Sequence, residues 1–167
     1  HDAAYYLRYT TNEDFQMQFK TTTESSSSVN INLPEFNVYH HILMSWDGTI
    51  VTFYLNGEEV GSKAVSGILD GDGLIYLGNW QTQEGFTGLI DDVKFWSRSL
   101  SYEEIQDDYN GLEVSDGLIA DYIFNNSGDM LIDQSGNGYH GSIQGAEWNL
   151  EIKGCTNPIS SNYNPDA

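Results

Sequence analysis

Short runs of alternating apolar and polar residues dominate the chain, and long helical repeats are absent. The clearest runs are residues 15–19, 29–33 and 51–55. A period of two places alternate side chains on opposite faces of a strand. With an aromatic-rich run at 5–9, these segments predict short antiparallel strands joined by polar turns.

Residues 39–64 carry the strongest local signal, because the apolar run 51–55 ends directly at Asn56-Gly57. Asn-Gly accepts a positive φ at both positions, which a two-residue type I′ hairpin requires. Asp47-Gly48 forms an earlier turn of the same kind. The pattern therefore predicts three consecutive antiparallel strands.

Further strands are predicted at 74–78 and 87–97. In the second of these, Asp91 shares one face with Leu89, Val93 and Phe95 by period two. Burying an unpaired carboxylate in an apolar face is costly. We therefore expect Asp91 to accept hydrogen bonds from backbone N–H groups or to meet a cation.

One short helix is predicted from Ser101, which with Glu104 forms a capping box, to Asn110-Gly111. Tyr102, Ile105 and Tyr109 fall on one helical face, so the helix should pack. Its carboxylates should lie mostly in solvent; they belong to Glu103, Glu104, Asp107 and Asp108.

Residues 117–149 predict strands at 118–124 and 140–144 around the loop 133–138. This loop combines a carboxylate (Asp133), an amide (Asn137) and glycines. Oxygen ligands of these types suit Ca²⁺, and the same residues also suit a plain turn. Asp91, Asp133 and Asn137 are the candidate ligands of a structural calcium ion.

Aromatic residues in two polar loops are candidate ligand platforms. Trp80 lies between Asn79 and Gln81, and Tyr139 follows the glycine-rich loop. An aromatic face can stack on a sugar ring while short polar groups bind hydroxyls. The alternative for Trp80 is that it folds back over the edge of the core.

The charge narrows the choice of partners. Asp and Glu number 25 against 6 Lys and Arg, a formal net charge of −19. Such a field repels nucleic acid and anionic lipid, so neither nucleic-acid binding nor membrane insertion is expected. An acidic surface also suits saline or extracellular surroundings. Cys155 is the single cysteine, which rules out an internal disulfide.

Four motifs between Tyr39 and Tyr109 resemble the second half of a LamG-like jelly-roll module of the concanavalin A-like lectin/glucanase superfamily. They are residues 39–48, 54–58, 88–96 and 100–105, in family-like order and spacing. Tyr39 stands where the family usually has Trp. The resemblance implies an all-β fold: an antiparallel two-sheet jelly-roll sandwich with one short helix.

Residues 117–141 resemble the pattern that usually opens such a module, although here they follow the closing helix. Either these strands complete a permuted sandwich, or the chain is an excerpt of a longer repeat protein. The tail 151–167 resembles a Gly-Cys-Thr-x-Pro…Asn-Tyr-Asn-Pro-Asp-Ala repeat of surface and virion-associated proteins. We therefore predict a β-sandwich over 1–150 and a separate tail over 151–167.

The resemblance implies a non-catalytic carbohydrate-binding or adhesion module of a larger extracellular, cell-surface or virion-surface protein. Its partners would be a glycan or surface protein, and neighbouring modules of the same assembly. A structural spacer or assembly domain without ligand is the alternative. A glycoside hydrolase is disfavoured, because the Glu-x-Asp-x-x-Glu strand motif of related glucanases is absent and Asp91 and Asp92 should face opposite sides of one strand.

Overall fold

The computed structural model describes most of the chain and shows mainly short strands. The described residues are 5–9, 14–19, 27–32, 35, 37–67, 75–80, 84–125 and 127–149. The chain divides into two compact units, an N-terminal unit (His1–Thr87) and a C-terminal unit (Gly88–Ala167). Cys155 and the predicted tail lie outside the described residues. Among the described residues, no helix has the length and apolar character needed to cross a bilayer.

The described residues of the N-terminal unit form two three-stranded antiparallel sheets and a small hairpin. The first sheet joins β1 (Tyr5–Tyr9), β2 (Asp14–Phe19) and β3 (Ser27–Asn32). The second joins β4 (Ile42–Trp46), β5 (Ile50–Leu55) and β6 (Glu58–Ala64). The hairpin pairs β7 (Asn79–Trp80) with β8 (Glu84–Gly85). The strands predicted at 5–9, 15–19, 29–33 and within 39–64 are thus confirmed within a residue or two at their ends.

The core of the second sheet lies on the face that the alternation predicted. Val51 and Phe53 are almost fully buried with Val65, and Trp46 packs against them from β4. Asn56 and Gly57 have φ values of 52° and 81°, as the predicted two-residue hairpin requires. The Asn56 side chain adds a further restraint by accepting a hydrogen bond from the His41 N–H at 3.0 Å.

The C-terminal unit pairs β9 (Val93–Trp96) with β10 (Leu118–Tyr122), and β11 (Met130–Leu131) with β12 (Gly141–Ser142). Its helix, α1 (Tyr102–Tyr109), begins with the predicted capping box. Ser101 Oγ accepts from the Glu104 N–H at 3.2 Å, and the Ser101 N–H donates to Glu104 Oε2 at 2.8 Å. Gly111, with φ 75°, follows the helix.

Two features of the helix differ from the expectation. Only Ile105 of its predicted packing face is buried, while Tyr102 and Tyr109 are exposed. Not all of its carboxylates are solvated, because Asp108 forms a half-buried ion pair with Lys94 at 2.7 Å. Periodicity identified the face but not its width, which depends on the elements packed against it.

In the middle of the chain one strand prediction was wrong and another was correct only in its second half. Residues 75–78 contain no strand, and the strand begins at Asn79, after Gly78 leaves the extended region with φ 82°. The strand predicted over 87–97 begins only at Val93. The positive φ of Asp92, 49°, turns the backbone immediately before it. A non-glycine residue in this region interrupts extended structure, and the apolar pattern contained no sign of it.

Candidate functional site

The loop that follows β11 is organised around the carboxylate of Asp133, which is 5% exposed. Oδ1 accepts hydrogen bonds from the N–H groups of Asp121 and Ser135, both at 2.9 Å. Oδ2 accepts one from the N–H of Tyr139, also at 2.9 Å. One side chain therefore fixes both ends of its own loop and joins the loop to β10.

This hydrogen bonding keeps the buried carboxylate ionised. Burial alone would raise the pKa of Asp133, but the hydrogen bonds from Asp121, Ser135 and Tyr139 outweigh it and hold that pKa well below its ordinary value. The side chain therefore acts as a permanent acceptor. It is poorly suited to donate a proton near neutral pH.

Two polar side chains attach the loop to the backbone of β10. Ser135 Oγ donates to the carbonyl of Ile119 at 2.9 Å. Asn137 Nδ2 donates to the same carbonyl at 2.9 Å and to that of Leu118 at 3.2 Å. The loop is consequently braced on both sides. These hydrogen bonds use the amide nitrogen of Asn137 and do not involve its Oδ1.

Tyr139 lies at the end of this loop and is 60% exposed. Its N–H is held by Asp133, and its carbonyl oxygen accepts a hydrogen bond from the hydroxyl of Tyr122. Tyr122 is itself packed edge-to-face on Phe95, with ring centroids 6.4 Å apart. The backbone of Tyr139 is thus fixed on both sides while its ring faces solvent.

His140 completes the tip of the loop. Its Nδ1 accepts a hydrogen bond from the Asp133 N–H at 3.1 Å, so the proton of the neutral ring sits on Nε2. The residue is exposed. We call the exposed pair Tyr139 and His140 the aromatic tip. The sequence pointed to Tyr139 but not to His140 or Tyr122, because their contacts span 7 and 17 residues along the chain.

A second group of carboxylates lies where β9 begins. Asp91 and Asp92 precede the strand, and the backbone turns at Asp92 (φ 49°), so Asp91 does not lie on an apolar strand face and the two do not alternate across a strand. Asp91 Oδ1 accepts from the N–H of Asp92 at 3.1 Å. Desolvation raises the pKa of Asp91, and desolvation with the Asp91 charge raises the pKa of Asp92 to about 6. These groups hold their protons more tightly than ordinary aspartates.

Asp121 extends this second group from β10, a role that the sequence did not indicate. It lies opposite Lys94 in the ladder between β9 and β10. Its Oδ1 is buried and has no hydrogen-bond partner among the described residues. Desolvation raises the pKa of Asp121, although Lys94 opposes the change. Lys94 instead forms its ion pair with Asp108.

A family model described as the concanavalin A-like lectin/glucanases superfamily matches residues 1–106. The chain belongs to this superfamily. The predicted fold class, an all-β antiparallel jelly-roll sandwich of the concanavalin A-like type with one short helix, is confirmed.

Two solved structures are similar to this concanavalin A-like chain. A candidate carbohydrate-binding protein from Bacteroides ovatus has a TM-score of 0.61 and 18% identity, over 81% of this chain and 44% of that one. An S-layer domain-containing protein from Clostridium thermocellum has a TM-score of 0.39 and 19% identity, over 57% of this chain and 51% of that one. The chain therefore spans about half the length of each.

The superfamily name covers both lectins and glucanases, so the candidate residues have to be judged individually. Asp133 and Asn137 share one loop, but the carboxylate oxygens of Asp133 accept N–H groups and the Asn137 amide donates to carbonyls. In the described part of the chain, no three His, Cys, Asp or Glu residues gather where they could hold a metal ion. Calcium binding by Asp91, Asp133 and Asn137 stays a prediction.

The other candidate platform lies in the N-terminal unit. Asn79 and Trp80 form β7, and the N–H of Phe86 closes the hairpin by donating to the carbonyl of Gly78 at 2.6 Å. Gln81 lies outside the described residues, as do the side chains of Asn79 and Trp80. Ligand binding at these three positions stays a prediction.

Proposed function

We propose that this chain is a non-catalytic carbohydrate-binding or adhesion module. The observation that carries the proposal is the exposed ring of Tyr139 on a loop whose backbone is fixed by Asp133 and Tyr122. A platform that is rigid before binding loses little conformational freedom when a ligand stacks on it.

One solved structure supports the proposal at the level of fold. The Bacteroides ovatus protein named as a candidate carbohydrate-binding protein shares the architecture over most of this chain. We infer the same class of ligand here, within a larger extracellular, cell-surface or virion-surface protein. Neighbouring modules of that assembly, or a surface protein, are the further partners that we propose.

The described carboxylates favour binding over catalysis. A retaining glycosidase needs two carboxyl groups about 5–5.5 Å apart, one of them able to deliver a proton. The oxygens of Asp133 accept three N–H groups, and its pKa is low. Asp91 and Asp92 do have raised pKa values, but they are adjacent in sequence, just before β9. We therefore place no hydrolytic step at either group.

A glycan array probed with the full chain and its Tyr139→Ala variant tests the proposal. Loss of the ring should weaken the best glycan contact about tenfold, close to 1.4 kcal/mol. Tyr102→Ala is the matched control, because Tyr102 is similarly exposed (55%) on α1 and has no part in the loop. Its binding should equal that of the wild type.

Trp80→Ala belongs in the same experiment. Loss of binding with this variant, and not with Tyr139→Ala, would move the site to the β7–β8 hairpin. No glycan bound by the wild type would contradict the proposal and favour the spacer or assembly domain. Release of reducing sugar from β-glucans would contradict the non-catalytic assignment.

A structural calcium ion at Asp91, Asp133 and Asn137 is a separate proposal. An ion that binds only the folded chain raises its melting temperature. EDTA should therefore lower the melting temperature of the calcium-loaded chain, and added CaCl₂ should restore it. An identical melt in EDTA and in CaCl₂ would exclude the ion. The Asp129→Asn variant serves as the control. It changes an exposed carboxylate outside the proposed site, so EDTA should lower its melting temperature as much as that of the wild type.

A further inference from the structure

The charge around the aromatic tip restricts which sugars it can take. Between residues 88 and 149 the sequence contains only two Lys or Arg residues, Lys94 and Arg98. It contains twelve acidic ones: Asp91, Asp92, Glu103, Glu104, Asp107, Asp108, Glu113, Asp116, Asp121, Asp129, Asp133 and Glu147. The field of this unit therefore opposes the approach of an anion.

Both basic side chains are already paired. Lys94 Nζ lies 2.7 Å from Asp108 Oδ1. Arg98 Nη1 donates to Glu104 Oε2 at 2.8 Å, and Arg98 Nε lies 2.9 Å from Asp116 Oδ2. Recognition of sulfate or carboxylate groups relies on such side chains as charged donors. An acidic sugar could use either one here only by displacing an existing carboxylate partner.

The polar groups of the tip and of the neighbouring Asn137 are uncharged in this hydrogen-bond arrangement. His140 Nδ1 accepts from the Asp133 N–H, which leaves the Nε2–H as a donor for a ligand. The Asn137 Nδ2 already donates to the carbonyls of Leu118 and Ile119, so Oδ1 remains as an acceptor. The Tyr139 hydroxyl can donate or accept. These groups match sugar hydroxyls rather than a charged substituent.

We propose that the aromatic tip binds uncharged sugars and rejects sulfated or uronic acid-containing ones. This inference rests on the proposed carbohydrate-binding function and adds the ligand class. The ring of Tyr139 supplies the stacking face, while His140 and Asn137 supply a neutral donor and a neutral acceptor. The acidic surface of the same unit supplies the discrimination.

Matched polysaccharide pairs test the inference. Affinity electrophoresis of the full chain would compare dextran with dextran sulfate and hydroxyethyl cellulose with carboxymethyl cellulose. The same comparison would be made on an array of neutral oligosaccharides and their sulfated derivatives. Each measurement is made in EDTA and in CaCl₂, at low and at high salt. The neutral member of any pair that binds should bind at least about tenfold more tightly at low salt.

Ionic strength tests the contribution of charge repulsion, and the Tyr139→Ala variant tests the contribution of the ring. Repulsion between exposed charges is screened within about 8 Å at physiological ionic strength, so the difference should narrow at high salt. Tyr139→Ala should reduce binding of the neutral ligand, and Tyr102→Ala should not. Preference for the acidic member, with or without CaCl₂, would overturn this inference while leaving carbohydrate binding intact. No binding in any pair or on the array would overturn both.

Discussion

Asp133 and Asp92 present the same side chain in two connecting segments of the C-terminal unit, in opposite electrostatic settings. Asp133 is buried and accepts three N–H groups, so its pKa is depressed. Asp92 is exposed by surface area, yet its carboxyl is partly desolvated beside Asp91, and its pKa is raised to about 6. Burial therefore does not determine the outcome by itself; the number of donors aimed at the carboxylate does.

The difference separates two roles. A carboxylate saturated by backbone donors is a structural element, and it holds the aromatic tip in place. A carboxylate that lacks donors and faces other carboxylates is a source of destabilisation at neutral pH. The two sites should therefore respond in opposite ways when their charge is removed.

Asp133→Asn should produce the larger effect. The amide can keep one oxygen for two of the N–H groups, but its NH₂ would then face the N–H of Tyr139 and leave a buried donor unpaired. Such losses cost about 1–3 kcal/mol for each unsatisfied group, so we expect the free energy of unfolding to fall by about 3 kcal/mol. Urea denaturation of the full chain measures it.

Asp129→Asn makes the same chemical change at an exposed carboxylate of the same unit, and it should stay within about 0.5 kcal/mol of the wild type. An Asp133→Asn variant as stable as this control would show that the loop does not depend on the carboxylate. The contrast between the two regions would then be wrong.

The carboxylates around Asp92 should affect the pH dependence of stability. A folded-state pKa raised above the unfolded value means that the folded chain binds protons more tightly. The contribution of Asp92 is therefore fully present below about pH 3.8 and is lost as the pH rises through about 6. Asp91 and Asp121 act in the same direction. The melting temperature should rise when the pH is lowered from 7 to 5.

Asp92→Asn isolates the local contribution. It should raise the melting temperature at pH 7 and reduce the gain between pH 7 and pH 5, while Asp129→Asn reports the effect of general charge. The contribution of Asp133 to stability stays constant in this window, because its pKa is lowered and the contribution is lost only as the pH falls below about 3.8. A wild type that loses stability between pH 7 and pH 5 would contradict the assignment.

The sequence was most informative where one local rule sufficed. The hairpin at Asn56-Gly57 and the capping box of Ser101 and Glu104 depend on residues within a few positions of each other, and both formed as predicted. The apolar face of 51–55 was also correct, since alternation alone assigns the faces of a strand. The resemblance of 39–109 to the superfamily led to the correct fold class.

The candidate site was only partly predictable. The loop 133–138 and Tyr139 were identified from composition, as either a calcium loop or a plain turn. Asp91 was placed on an apolar strand face, and the positive φ of Asp92 removes it from that face. No alternation pattern reports a single left-handed residue, so the start of β9 was not visible in the sequence.

What the sequence determined by itself is the class of fold, the hairpins, the helix cap and the acidic character of the surface. Only the tertiary structure decided which carboxylate is satisfied and which is not. Asp121 donates its N–H to Asp133 from 12 residues away, and Tyr122 reaches Tyr139 across 17. The pKa of a carboxyl group and the placement of an exposed tyrosine depend on such distant donors, whose positions are fixed only when the strands pair.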